Sequence, residues 1–276
     1  MILCGAPKGG VLPDTMTAVS DRPRLSIVVP AYNEEAVIGR FIESVHGEVS
    51  PLGLTWEILV VDDGSEDATV AIVRDAACAD GRVRLLETAH RGKGAAVRQG
   101  FQAARGEWIF MADADLSMPW DNLHRFLGVA AETPPPQVIT GSREAPGALR
   151  TGEAWSRRLS GRVFNVLVRM CAVPGIYDTQ CGYKMLSAEA VAALTPHLTI
   201  DGFAFDVELL YLARLAGFEI REVGIICHCR QDSRVRVRLG IAAVLDVLRV
   251  RLNMRRTIIT SGASHAGSPA TYRRGD

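Results

Sequence analysis

The sequence predicts an α/β fold, a doubly wound and mostly parallel sheet flanked by helices, and three observations predict it. Short, almost wholly apolar runs recur along the chain, as strands buried on both faces should. Stretches with helical spacing of apolar residues lie between them. Polar clusters follow directly on four of the runs. In sheets of this kind ligands bind beyond the carboxyl ends of the strands, so these clusters are expected to converge on one rim.

The predicted strands are Leu25–Val29, Trp56–Val61, Arg82–Leu86, Glu107–Ala112 and Gln137–Thr140, each stopped by proline, glycine or a polar residue. Between them Glu34–Val49 places Val37, Ile38, Phe41, Ile42 and Val45 on one helical face, and Asp67–Ala77 and Ala95–Ala104 repeat the pattern on a smaller scale. Asn33 and Ser65 are read as helix caps, with Glu34 favoured by the helix dipole. Later in the chain a helix is predicted over Glu153–Cys171. A loop, Asp178–Lys184, follows it, then helices near Ser187–Leu194 and Phe205–Leu215 and a strand over Phe218–Cys229. Residues 23–235 form one predicted domain, and residues 236–256 a basic amphipathic helix. Residues 1–22 and 257–276 read as a disordered leader and tail.

Composition narrows the function. The 276 residues suffice for a real core, and 48% hydrophobic with 22% charged residues is ordinary for a globular protein. The 31 basic and 31 acidic residues cancel, so global charge gives no argument for nucleic acid. Six cysteines without a repeating pattern speak against a disulfide framework. Cys227-His228-Cys229 is too closely spaced for a paired-cysteine zinc site, and reads as a strand with two small buried thiols. No apolar run reaches the roughly 18 residues of a membrane-spanning helix.

The chemistry lies at the strand ends. Asp113 and Asp115 can ligate one hard cation, with substrate phosphate oxygens completing the shell; alone, the pair is equally an acidic turn. In Asp62-Asp63-Gly64-Ser65 one carboxylate can accept a pyrimidine N–H, or the run can simply cap a helix. Tyr32 can stack a base, and Glu34 can hold ribose or base. His90-Arg-Gly-Lys-Gly94 lacks the phosphate-loop spacing and the third glycine of a dinucleotide fingerprint, yet it suits a turn near a ligand.

Leu25–Glu34, Val60–Ser65, Arg91–Gly100 and Asp113–Asp115 together resemble family 2 glycosyltransferases, which have the GT-A fold. Gly141–Arg143, Asp178–Lys184 and Phe205–Leu210 look like the branch that glucosylates dolichyl phosphate. The resemblance implies an inverting hexosyltransferase that moves glucose from UDP-glucose to a polyprenyl phosphate. It implies that Pro30, Tyr32, Glu34, Val61 and Asp63 bind the nucleoside, and that Lys93, Asp113 and Ala114 meet the nucleotide-sugar. Asp113 and Asp115 would hold Mg2+ or Mn2+. Ser117 stands where related mannosyl-transferring enzymes carry a glutamine ligand. Arg143 would meet donor or acceptor phosphate. Arg230 and Arg234 match a phosphate-gripping element with Arg in place of Lys, and Lys184 is a further candidate for the acceptor phosphate. A lipid phosphate is largely dianionic at neutral pH, its second pKa being about 6, and needs no strong base. For a hydroxyl acceptor, Asp206 and Glu208 are the candidate bases. A polyprenyl acceptor implies a peripheral place at the cytoplasmic face of a membrane.

Three other readings stay open at this point: a hydroxyl acceptor, GDP-mannose as donor, and a nucleotide-binding domain that has lost catalysis. A processive synthase is disfavoured, because transmembrane helices and a Gln-x-x-Arg-Trp motif are absent.

Overall fold

The computed structural model describes residues 22–151, 175–228 and 273–274. The expected helix 153–171, Cys229, Arg230, Arg234, the basic segment 236–256, the tail, and the leader up to residue 21 lie outside these residues.

Eight strands form one sheet in the order β10-β8-β5-β7-β4-β1-β2-β3. They are β1 (Leu25–Ala31), β2 (Trp56–Asp62), β3 (Val83–Glu87), β4 (Trp108–Met111), β5 (Val138–Ser142), β7 (Lys184–Ser187), β8 (Ile220–Gly224) and β10 (Arg273–Arg274), with β6 described below. All neighbours are parallel except β7, which runs antiparallel to both β4 and β5. Helices cover both faces, as the alternation implies. On one face α1 (Ile38–Val49), α2 (Thr69–Ala79) and α4 (Asp121–Ala130) pack Phe41, Val45, Val73 and Phe126 against Ile27, Ile58 and Phe110. On the other, α3 (Lys93–Ala103), α5 (Ala188–Leu194) and α6 (Phe205–Leu215) pack Val97, Phe101, Leu194 and Leu209 against Val28, Val61 and Ile109. Alternate residues of each strand thus feed opposite cores.

Several elements depart from expectation. α1 begins at Ile38, not Glu34, because residues 33–35 are committed to hydrogen bonds with the neighbouring loop. α4 and β7 were not expected. The strand expected over Phe218–Cys229 breaks at Gly224, and its second part, β9 (Ile226–His228), leaves the main sheet to pair with β6 (Leu149–Thr151). Only glycine fits at the break: a methyl on Gly224 would strike the Pro146 carbonyl and stand 2.7 Å from the Ala148 nitrogen. Cys227 is buried, as expected for that strand.

Candidate active site

β1, β2, β4 and β5 share one direction, so the clusters that follow them meet at a single rim. On the first part of that rim two loops are fastened to each other. Asn33 N–H donates to Ser65 Oγ and Glu66 N–H to Asn33 Oδ1, both at 2.9 Å. Glu34 N–H donates to Thr69 Oγ1 at 2.8 Å, Glu35 N–H to Asp67 Oδ2 at 3.2 Å, and Ala68 N–H to Glu35 Oε2 at 2.9 Å. Asn33 and Ser65 therefore join the loops and do not cap α1 and α2. Asn33 takes a positive φ of 53° to do so, which asparagine tolerates better than most residues.

Of the expected nucleoside residues Pro30, Tyr32 and Glu34 are partly exposed, while Val61 and Asp63 are buried. Asp63 Oδ1 accepts Arg91 N–H at 2.8 Å, and its Oδ2 accepts Gly92 N–H at 2.9 Å. The Nδ1 of His90 lies 2.9 Å from the same Oδ2. Tyr32 stacks on His90, with ring centroids 4.2 Å apart at 22°. The face expected to carry a base is thus next to an imidazole. Val61 is wholly buried, so its side chain belongs to the core and only its backbone is left to meet a ligand. Pro30 and Glu34 sit at the rim, partly exposed.

At the end of β4, Asp113 and Asp115 are both partly exposed, while Ala114 is buried between them. Lys93, the first residue of α3, donates from Nζ to Asp113 Oδ1 at 2.6 Å. Burial alone lowers the pKa of Lys93; the attraction of Asp113, Asp206 and Asp115 overrides it and holds the ammonium above its usual range. Asp115 Oδ1 accepts Ser117 N–H at 2.9 Å, and the Ser117 carbonyl accepts His228 N–H at 2.8 Å. Ser117 is thereby fixed beside the carboxylates. Among the described residues no three His, Cys, Asp or Glu side chains gather in a metal-binding group. Asp113 and Asp115 are the carboxylates here that could hold a hard cation, with phosphate and water completing its shell. That donor set suits Mg2+ or Mn2+, and the ammonium on Asp113 marks it as a seat for a cation.

The loop 178–184 carries the remaining part of the rim. Asp178, wholly buried, accepts Arg143 Nε at 2.6 Å, Nη2 at 2.9 Å and backbone N–H at 3.0 Å. Burial pushes the Asp178 pKa up, but the charge and hydrogen bonds of Arg143 bring it down to about 2. Asp178 in turn holds the Arg143 guanidinium well above its ordinary value. Arg143 itself is 30% exposed, so part of its side chain stays open to solvent while Nε and Nη2 are held by Asp178. Gly182 lies directly on the Asp113 carboxylate, and Tyr183 Oη donates to the Met118 carbonyl at 2.6 Å.

Two expectations fail here. Lys184 is wholly buried in β7 and donates to the Cys181 carbonyl at 2.7 Å and to Asp206 Oδ1 at 2.5 Å. It is out of reach of an acceptor phosphate. Glu208 is also wholly buried, and its carboxylate accepts the N–H groups of Thr199 and Ile200. It builds a loop and is not a base. Asp206, 4% exposed, has its carboxylate tied to Lys184 in the interior, which counts against a role as base. Sequence reading also missed Asp201. Arg91 and Arg98 both pair with its carboxylate at 2.7 Å, and its carbonyl accepts Gly94 N–H at 2.7 Å, which closes the amino end of α3.

The profile described as Glycosyl transferase family 2 matches residues 26–194. The chain belongs to this family. It is 36% identical over 231 residues to a dolichyl-phosphate beta-glucosyltransferase of Mus musculus, covering 77% of this chain and 70% of the relative. An enzyme of the same name in Saccharomyces cerevisiae is 31% identical, over 83% and 74% of the two chains. Among solved structures, mannosyl-3-phosphoglycerate synthase from Rubrobacter xylanophilus superposes with a TM-score of 0.61 at 19% identity, over 89% of this chain and 77% of that one. Glucosyl-3-phosphoglycerate synthase from Mycobacterium tuberculosis, in complex with Mn2+, uridine diphosphate and phosphoglyceric acid, gives 0.59 at 22%, over 84% and 78%. These two share the fold with this family 2 glycosyltransferase.

Proposed function

We propose that this protein transfers a hexose, glucose in the first instance, from a nucleotide-sugar to a polyprenyl phosphate, with inversion at the anomeric carbon. One observation carries the reading: a single loop, 178–184, seats the donor-side carboxylate Asp113 through Gly182 and the rim arginine Arg143 through Asp178. A carboxylate pair suited to a diphosphate-bound cation is therefore built into the same frame as a partly exposed guanidinium whose charge suits a phosphate acceptor. The names of the curated relatives support the same acceptor and sugar.

A divalent cation on Asp113 and Asp115, Mg2+ or Mn2+, would supply charge stabilisation for the departing nucleotide diphosphate; Ser117 is the candidate third ligand. Pro30, Tyr32, Glu34 and Asp63 would frame the nucleoside. Arg143 would orient the acceptor phosphate, with Arg230 and Arg234 from outside the described residues as further cations. A phosphate dianion attacks without a base, in keeping with the burial of Asp206 and Glu208. Positioning and charge then do most of the catalytic work. Residues 23–235 would make the transfer domain. The lipid acceptor would bring it to a membrane surface, at the cytoplasmic face, with the basic segment 236–256 as the contact. Among the described residues no helix is long and apolar enough to cross a membrane.

The test is a donor panel of UDP-glucose, GDP-mannose and UDP-N-acetylglucosamine against a polyprenyl phosphate, with and without Mn2+. The expected product is a glucosyl lipid formed from UDP-glucose only when metal is present. Transfer to a soluble hydroxyl acceptor with none to the lipid phosphate would refute the reading. Cosedimentation with anionic liposomes, with and without residues 236–276, checks the membrane contact.

A further inference from the structure

Asp113 carries a cation of the protein's own. Lys93 Nζ sits 2.6 Å from its Oδ1, with the lysine and aspartate side chains 19% and 30% exposed. The ammonium, on a flexible stem, thus occupies the rim carboxylate where a metal is wanted.

A divalent cation arriving alone must take Asp113 from this ammonium and then sit close to it, which like charges oppose. A diphosphate supplies the missing anion and gives the ammonium somewhere to go. We propose that Lys93 holds the place of the divalent cation on Asp113 until cation and diphosphate arrive together. It then passes to the diphosphate. Metal and nucleotide bind as a coupled pair, each strengthening the other. The inference rests on the metal reading of Asp113 and Asp115 proposed above.

The test measures Mn2+ retained with the full-length protein on ultrafiltration, with and without UDP. The proteins compared are the wild type, Lys93→Met, Lys93→Arg and Asp115→Asn. The wild type is expected to hold Mn2+ weakly alone and about tenfold or more tightly with UDP. Lys93→Met is expected to bind Mn2+ alone about tenfold more tightly than the wild type, and to gain less from UDP. Lys93→Arg, which keeps the charge, is expected to restore the wild-type pattern. Equal Mn2+ affinity of the wild type with and without UDP overturns the inference whatever the variants do. Equal metal-only affinity of wild type and Lys93→Met overturns it too, while leaving the metal site standing. If no protein retains Mn2+ better than Asp115→Asn under any condition, the metal reading itself falls and the inference with it.

Discussion

Gly182→Ala puts the union of the two halves of the site to a direct test. A methyl at this position would stand 2.7 Å from Cγ of Asp113 and closer still to its Oδ2, with Met118 Cε 3.1 Å away on another side. Ordinary contact with Cγ begins about 0.7 Å further out, so the carboxylate must shift by most of an ångström. Gly182 is tied into place on both sides, through Cys181 to Lys184 and through Tyr183 to Met118. The loop therefore has little freedom to yield. A displacement of about 1 Å in a positioned group costs on the order of 100-fold in rate. We expect kcat for sugar transfer to fall by that order, with thermal stability nearly unchanged because Asp113 lies at the rim. Gly128→Ala is the control, since nothing lies within 4 Å of a methyl there. The assay is initial-rate transfer to a polyprenyl phosphate over a Mn2+ titration, alongside thermal melts. Wild-type kcat in Gly182→Ala at saturating Mn2+ would refute the idea that Gly182 seats the carboxylate.

Asp178→Asn removes the buried counter-charge of Arg143, and by the cost of breaking such pairs it should destabilise the fold by about 3–5 kcal/mol in urea unfolding. The same carboxylate sets an acid limit. Its pKa is depressed from 3.8 to about 2 in the folded state, so its contribution, about 2 kcal/mol, is complete above pH 4 and is lost as the pH falls towards 2; urea midpoints measured over that range should show the loss in the wild type and not in Asp178→Asn. Asp115→Asn should cut transfer at least about 100-fold while leaving the melting temperature near that of the wild type, and full activity in that protein would remove the metal role. Lys184→Met leaves Asp206 buried without its partner, and a loss of about 3–5 kcal/mol in urea unfolding is expected.

The rim was legible because it depends on local pattern. Apolar β-branched runs ending in polar clusters fix both the strands and the direction in which those clusters point, so Asp63, Asp113 and Arg143 could be placed on one edge from spacing alone. What stayed hidden depends on partners far along the chain. β7 is four residues long and begins with a lysine, which argues against an interior strand until Asp206, 22 residues on, neutralises it. Lys184 therefore looked like a phosphate ligand. Asn33 looked like a cap because its local sequence suits one; its actual partners are 32 and 33 residues away. α4 has only Leu123 and Phe126 as large buried apolar residues, too sparse a stripe to stand out. Asp178 was visible inside a distinctive run, yet its pairing with Arg143 spans 35 residues and left no local mark.

The five hydrogen bonds between the β1–α1 and β2–α2 loops bear on any attempt to retarget this enzyme. Each loop supplies both donors and acceptors to the other, so neither is an independent cassette. Transplanting one loop from a relative with a different nucleotide preference would leave orphaned amides on both sides of the seam. The two segments form one interchangeable part, and a donor-switching chimera has to carry residues 31–37 and 63–69 together.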